Sequence, residues 1–141
     1  MKVIIQRVKR AHVKTKDKIE GIDNGLCLLV GFETNDDTQI IEKFKNKILS
    51  LRIFGEKFEK NIRQINGEIL IVPNFTIPAI IKKGTRPNFQ NSLNPKDANV
   101  LFEYCIETFK KEIPTKSGVF GADMEVEIIN DGPVSLIWES K

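Results

Sequence analysis

Residues 68–77 contain the first group whose types and order can do chemistry. An apolar run ends at Pro73-Asn74 and is followed by Phe75 and Thr76. Because proline has no backbone N–H, a strand cannot continue its regular hydrogen bonding through Pro73. Amides just beyond such a break are free to donate to a developing oxyanion. The segment is therefore a candidate oxyanion-binding site, although a capped strand end explains the same residues.

A second unusual segment lies near the end of the chain, at residues 130–135. It centres on Gly132-Pro133, in which glycine accepts unusual backbone angles and proline fixes φ. Such a pair is typical of a turn between two strands. An X–Pro bond is cis in only about 5% of cases in folded proteins, so the local sequence does not predict a cis bond.

Three cations are close together in one loop-like segment, Lys82, Lys83 and Arg86, with no acid between them. A loop of this kind can neutralise phosphates by releasing counterions. The whole chain has 22 basic and 19 acidic residues and a net charge of +3. Because this excess is mild, a solvated surface remains the alternative explanation of the loop.

Most familiar catalytic groups are missing from the sequence. It contains one histidine, His12, and two cysteines, Cys27 and Cys105, which sit among apolar neighbours and suggest reduced core thiols. A histidine-rich metal site is excluded, and no nucleophile elbow or glycine-rich phosphate loop is present. Nothing calls for a metal or an organic cofactor. We expect backbone amides to stabilise any electrophile, and substrate or water to carry protons.

The hydrophobic pattern predicts an α+β fold with two main helices and a mostly antiparallel sheet. The first helix follows the polar stretch 33–37, and the second has Asn94 as N-cap and Pro95 as its first residue. The predicted order is β-β-α-β-β-α-β-β. Its strands are predicted at residues 2–13, 26–30, 50–54, 67–73, 123–130 and 134–139.

Length and composition predict one cytoplasmic domain spanning residues 1–141. A chain of 141 residues is the size of a single core, and no linker or repeat interrupts it. The N-terminus lacks the pattern of a signal peptide, and no window has the roughly 20 apolar residues that a membrane span needs.

Five signatures occur in order along the chain: residues 2–8, Leu51–Phe54, Lys83-Gly84 to Arg86-Pro87 with Phe89, residues 120–124, and residues 130–134. With these signatures, the whole chain resembles the bacterial and eukaryotic type of D-aminoacyl-tRNA deacylase. The resemblance implies a barrel-like sheet with two helices, and hydrolysis of the ester that joins a D-amino acid to tRNA. It also implies that the 3′ end of aminoacyl-tRNA is the partner.

The resemblance further implies a homodimer with its active site at the subunit interface. In that family the Gly-Pro pair, here Gly132 and Pro133, is cis and reaches into the partner's site. A rigid backbone wall there excludes an L side chain by steric clash and ignores which D side chain is present. Glycine has no side chain, so hydrolysis of glycyl-tRNA is also expected.

The same resemblance assigns roles to the segment that follows Pro73. It implies that the backbone amide of Phe75 holds the carbonyl oxygen and that Thr76 lines the site, while the terminal ribose of tRNA helps to activate water. The terminal adenosine is placed near Phe120-Gly121-Ala122 and Met124, where an aromatic ring can stack on the base. The basic loop of Lys82, Lys83 and Arg86 is expected to contact tRNA phosphates without reading sequence.

The chain departs from the family pattern at one point of the site. Pro73-Asn74 replaces the Ser-Gln of the family, so a hydroxyl and a backbone donor are lost, whereas Ser135 keeps the hydroxyl of the family's threonine. Two alternatives to an active D-specific hydrolase follow. One is a non-catalytic tRNA- or protein-binding module of the same fold. The other is a deacylase with relaxed chirality that acts on L-aminoacyl-tRNA.

Overall fold

The computed structural model describes residues 1–141, which form six strands and two helices. Asp37 and Asn94 cap the two helices, since each side chain accepts a hydrogen bond from the backbone N–H three residues later. The two predicted helices are thereby confirmed, including Pro95 at the start of the second. The elements are β1 (Lys2–Lys14), β2 (Ile19–Ile22), β3 (Gly25–Gly31), α1 (Thr38–Ser50), β4 (Glu68–Pro73), α2 (Pro95–Lys110), β5 (Thr115–Ser117) and β6 (Glu125–Glu139).

All six strands belong to one sheet, in which β1 is the central element. One edge of β1 pairs with β3 and then with β2, and its other edge pairs with β6, each time antiparallel. The β3–β4 and β4–β5 pairings are parallel. With three of five pairings antiparallel and two helices, the predicted α+β class is confirmed.

Alternate residues of the central strands face two separate apolar clusters. Leu26, Leu28 and Val30 of β3 point toward the helices, whereas Cys27 points to the opposite side of the sheet. The helix-side cluster contains 23 buried residues, among them Phe44. The opposite cluster contains only seven, and this side of the sheet is where a cavity remains open.

The predicted strand at 50–54 is wrong. Leu51 caps α1 through its backbone N–H, and Phe54 makes only an isolated bridge with Lys60. Ile53 and Phe54 are buried all the same, because the connecting loop folds them into the helix-side cluster. Their apolar character therefore indicates burial and not a strand. The short strands β2 and β5 were not predicted, so the predicted element order is also wrong.

The two strands predicted at 123–130 and 134–139 are one strand, β6. Both halves pair with β1, so Gly132 and Pro133 are not the turn of a hairpin. Gln6 pairs with Ser135 and Val8 pairs with Asn130, which leaves residues 131–134 opposite Arg7 alone. The extra residues form a bulge, a device that re-aims a strand locally without ending it. Neither helix is long and apolar enough to cross a membrane.

Candidate functional site

A cavity of about 740 Å³ opens beside the end of β4 and the start of α2. Strands β3 and β6 form its floor, and 11 of its 17 lining residues are hydrophobic. None of the 17 is ionisable. The lining residues are Leu29, Val72, Pro73, Asn74, Phe75, Phe89, Ser92, Leu93, Asn94, Pro95, Ala98, Phe120, Gly121, Ala122, Met124, Val126 and Ile128.

The backbone turns away from the sheet directly after Pro73, and this turn leaves one amide without a partner. The Asn74 N–H donates to the Val30 carbonyl at 2.8 Å, and the Ile77 N–H donates to the Asn74 carbonyl at 3.3 Å. The Thr76 N–H donates to Oδ1 of Asn74 at 3.2 Å. The Phe75 N–H makes no hydrogen bond within the chain. Phe75 therefore offers a free backbone donor at the cavity wall.

The side chains of Asn74 and Ser92 hold the peptide group between Phe75 and Thr76. The Thr76 hydroxyl donates to Oδ1 of Asn74 at 2.6 Å, so Asn74 fixes both the amide and the side chain of Thr76. The Ser92 hydroxyl donates to the Phe75 carbonyl at 3.1 Å, and the Ser92 N–H donates to the Phe89 carbonyl at 2.9 Å. Ser92 thus connects the two chain segments that meet at the cavity.

The opposite wall comes from the segment between β5 and β6. The Phe120 ring is half-buried and lies 6.0 Å, between ring centroids, from Phe102 of α2. Gly121 has φ of +75°, and a Cβ built there meets nothing within 4 Å, so the backbone is open at this point. Together with Pro73, Asn74 and Phe75, the predicted residues Phe120, Gly121, Ala122 and Met124 are all brought to one cavity.

Other predicted site residues lie outside the cavity. Thr76 is exposed beside the cavity and does not line it. Gly132 and Pro133 lie in the bulge of β6, and the bond between them is cis, as the resemblance implies. Lys82, Lys83 and Arg86 lie together in one exposed loop. Two backbone hydrogen bonds between Ile80 and Asn88, of 2.8 and 2.9 Å, close this loop at its base.

Arg7 fixes the bulge that contains Gly132 and Pro133. Its Nε donates to the Asp131 carbonyl at 3.1 Å, and Nη1 donates to the Ile53 carbonyl at 2.8 Å. The same guanidinium lies 3.5 Å from the Asp131 carboxylate and 5.8 Å from the centre of the Phe58 ring. A planar guanidinium with several donors can serve all these partners at once. The bulge is thereby attached to a second loop through one side chain.

None of the three cations in the basic loop makes an ion pair within the chain. Lys82, Lys83 and Arg86 are exposed, so their charges face solvent and are free to meet an anionic partner. Exposed cations of this kind add affinity for phosphates that decreases as salt increases.

The titratable groups that most often act as nucleophiles or bases lie elsewhere. Cys27 and Cys105 are buried and unpaired, and burial raises the pKa of each thiol to about 12, so both stay protonated at neutral pH. His12 is half-buried on β1, with its Nδ1 3.9 Å from a Glu127 oxygen, and does not line the cavity. No three His, Cys, Asp or Glu side chains are grouped as metal ligands would be.

Sequence reasoning did not assign several of the cavity residues to a site. Asn94 and Pro95 were assigned only as the start of α2, and Ser92 was not singled out. Leu29, Val126 and Ile128 form the floor because they point to the side of the sheet away from the helices. Strand alternation was the signal for these floor residues. For Ser92, which meets Phe75 across 17 positions, the local sequence held no signal.

Comparisons with known proteins agree along the whole chain. The sequence profile of the family described as D-Tyr-tRNA(Tyr) deacylase matches residues 4–139. A D-aminoacyl-tRNA deacylase of Nautilia profundicola is 54% identical over 99% of each chain. One of Staphylococcus haemolyticus is 47% identical, covering 100% of this chain and 97% of the relative.

Solved structures give the same fold. The c-Myc DNA unwinding element binding protein is 34% identical and superposes with a TM-score of 0.93, covering 100% of this chain and 99% of its own. A probable eukaryotic D-amino acid tRNA deacylase superposes with a TM-score of 0.84 over 97% of each chain. At 14% identity, the second likeness shows the fold alone.

Proposed function

This chain belongs to the D-Tyr-tRNA(Tyr) deacylase family, and from that premise we propose that its cavity hydrolyses the ester of D-aminoacyl-tRNA. The observation that carries the proposal is the free Phe75 amide at the wall of a cavity without ionisable side chains. Hydrolysis of an already reactive ester needs a bound substrate and a donor for the oxyanion, and it does not need a side-chain nucleophile.

In this mechanism, water adds to the ester carbonyl while the Phe75 N–H donates to the carbonyl oxygen as it becomes negative. The bond between the acyl carbon and the ribose oxygen then breaks, and the products are the free amino acid and tRNA. The proton that water loses passes to the leaving ribose oxygen, relayed by the neighbouring ribose hydroxyl or by solvent, because the cavity holds no base. Asn74 and Ser92 keep the Phe75 peptide in position.

The terminal adenosine of tRNA is proposed to bind along Phe120 and the residues that follow it. Phe120 offers an aromatic face at the cavity wall, and Gly121 leaves the backbone uncovered beside it. This placement sets the ester between that wall and Phe75. Charged tRNA is a cytoplasmic substrate, so we place the enzyme in the cytoplasm.

Selection against L-amino acids is proposed to come from a second copy of the chain. Gly132 and Pro133 do not reach the cavity of their own chain, so they can act on a substrate only in a partner's cavity. One edge of β6 is unpaired, and Leu136 and Ile137 on this strand are exposed, which suits an interface between two copies. A backbone wall there would reject L side chains and admit glycine.

The direct test is hydrolysis of D-Tyr-tRNA, L-Tyr-tRNA and glycyl-tRNA by the purified protein in parallel. We expect the D-ester to be hydrolysed at least about 100-fold faster than the L-ester, a difference of about 2.7 kcal/mol in activation free energy, and glycyl-tRNA to be hydrolysed as well. Preference for the L-ester would identify the deacylase of relaxed chirality. A monomer in solution that still selects D-esters would refute the role of the partner.

A non-catalytic nucleic-acid-binding module is the second candidate. The observation that favours it is Pro73-Asn74, because the Ser-Gln pair of the family is absent here. This candidate predicts tight binding of charged tRNA with no loss of either ester. If the Pro73→Ser variant then hydrolysed the ester, Pro73 would be the reason why the wild type is inactive.

Substituting Ser92 by alanine is expected to lower kcat for D-Tyr-tRNA by about fivefold. The variant frees the Phe75 carbonyl, and one hydrogen bond of this kind contributes about 1 kcal/mol. Single-turnover hydrolysis measures the effect, with Ser50→Ala as the control because the Ser50 hydroxyl only caps carbonyls of α1. Unchanged single-turnover rates for Ser92→Ala would show that this hydrogen bond to the Phe75 carbonyl does not contribute to catalysis.

Removing the basic loop's charges is expected to weaken tRNA binding and its salt dependence. In the triple variant Lys82→Ala, Lys83→Ala, Arg86→Ala, the slope of log Kd against log salt should fall by about 2, or about 0.7 for each phosphate contact to a single strand. Titration of uncharged tRNA at several KCl concentrations measures it. The matched control replaces three exposed lysines, Lys110 and Lys111 at the C-terminal end of α2 and Lys116 of β5. An equal drop in slope there would refute a specific contact.

A further inference from the structure

Two aromatic rings stand at the mouth of the cavity and have no role in the mechanism above. The Phe75 side chain is 64% exposed and the Phe89 side chain is 40% exposed, yet both line the cavity. Their ring centroids are 5.3 Å apart and the ring planes are tilted by 50°. The proposed oxyanion contact uses the backbone of Phe75, so its ring remains free. A contacting pair of exposed aromatic rings at a cavity mouth marks a binding surface.

The ring pair adjoins the basic loop along the chain. Asn88 closes this loop by pairing with Ile80, and Phe89 is the next residue. The chain therefore passes from the free cations to the ring pair and then to the cavity wall. Cations that follow a phosphate backbone, combined with aromatic faces that stack on bases, are the composition that binds single-stranded nucleic acid.

Several polar groups beside the rings make hydrogen bonds within the chain. The Gln90 N–H donates to Oδ1 of Asn88 at 2.8 Å, and the amide of the Asn88 side chain faces Oε1 of Gln90 at 3.4 Å. The Ser92 hydroxyl is engaged with the Phe75 carbonyl. These contacts hold Asn88, Gln90 and Ser92 in place beside the rings. The two exposed aromatic faces are the main surface offered to a base, which would be held mainly by stacking.

We propose that the Phe75–Phe89 ring pair stacks on the base immediately 5′ to the terminal adenosine of the acceptor end, while Lys82, Lys83 and Arg86 neutralise the phosphates beyond it. This inference rests on the proposed function, because it needs the terminal adenosine in the cavity. Charge favours this occupant over an apolar patch of a second subunit, since the loop that leads to Phe89 carries three exposed cations that make no ion pair within the chain.

Two substrates separate this subsite from the cavity itself. Wild type and Phe89→Leu are compared on D-Tyr-tRNA and on 3′-O-(D-tyrosyl)adenosine, which has the ester and the adenosine but no further nucleotide. We expect Phe89→Leu to lower kcat/KM for the tRNA by about 10-fold, within a range of about 5- to 100-fold, and to affect the adenosine ester at least fivefold less. Phe89→Trp should keep activity on the tRNA, because indole also stacks.

The matched control is Ile81→Ala, which removes an equally apolar side chain, 74% exposed, from the same loop without touching the ring pair. It should leave the ratio of the two substrates unchanged. If Phe89→Leu lowers kcat/KM equally on both substrates, the proposal is overturned and the ring contacts the adenosine or the amino acid instead. An unchanged kcat/KM on both substrates would overturn it as well. So would light scattering that shows a different oligomeric state for Phe89→Leu than for wild type.

Failure of the proposed function looks different, because wild type would then hydrolyse neither ester. In that case fluorescence anisotropy of uncharged tRNA decides the inference. A Kd raised about 10-fold in Phe89→Leu supports stacking at the acceptor end, and equal Kd values overturn it.

Discussion

Replacing the amide between Asn74 and Phe75 by an ester is expected to lower kcat by about 100- to 1,000-fold. Incorporation of phenyllactic acid at position 75 removes the N–H and keeps the ring, while the Asn74 carbonyl, which accepts from the Ile77 N–H, becomes only a weaker acceptor. Loss of one oxyanion donor costs about this much in other hydrolases. KM should change little, because the hydrogen bond becomes strong only when negative charge develops on the carbonyl oxygen. Single-turnover hydrolysis of D-Tyr-tRNA measures the effect.

The same building block placed at Phe58 is the control. Phe58 lies in an exposed turn, and its N–H donates only to the Gly55 carbonyl at 3.4 Å, so that variant should retain most of its activity. A loss below about threefold at position 75 would remove the Phe75 N–H from the mechanism.

Gly132→Ala is expected to lower kcat/KM for the D-ester by about 100-fold. Gly132 has φ of +116°, and a Cβ there would approach Nη2 of Arg7 to 3.0 Å and Val134 to 3.3 Å. The added methyl group must therefore displace either the bulge or Arg7, which holds it. A shift of about 1 Å in a positioning group can cost a factor of this size. Steady-state hydrolysis of D-Tyr-tRNA and L-Tyr-tRNA measures both rate and selectivity.

The Gly84→Ala variant is the control for the effect of backbone strain alone. Gly84 also has a positive φ, +77°, but its Cβ would meet nothing within 4 Å. Both variants should lose about 1–2 kcal/mol of unfolding free energy and have lower thermal midpoints. Only Gly132→Ala should lose activity on 3′-O-(D-tyrosyl)adenosine, a substrate too small to reach the basic loop. Equal activity losses would mean that strain, and not the position of Gly132, matters.

The sequence predicted those parts of the fold that depend on local chemistry. Asn94 and Pro95 begin α2 where their capping preferences place it, and Pro73 ends β4 for want of an N–H. Leu51–Phe54 misled the prediction because apolar residues are buried in a loop as readily as in a strand. Strand β5 has only three residues, too few for any alternation to be recognised.

Part of the candidate site also followed from the sequence, chiefly through the resemblance to the family. Pro73 predicted a free amide just beyond the strand end, and the resemblance pointed to Phe75. The support that Ser92 gives to Phe75 arises only when distant segments meet. The continuity of β6 was also beyond local reasoning. The local sequence of Gly132-Pro133 is that of a turn. It forms a bulge within one strand, held by Arg7, which is 124 positions from its partner Asp131.

The uncharged lining of the cavity also bears on how the products leave. Hydrolysis turns the ester into a carboxylate, so the released amino acid is a zwitterion, and no ionisable side chain lines the cavity to pair with either of its charges. Two charged groups in apolar surroundings without partners are far better solvated by water. The released amino acid is thus driven outward by its own charge. Free D-amino acids in the surrounding solution should be poor inhibitors, and the catalyst stays available where they accumulate.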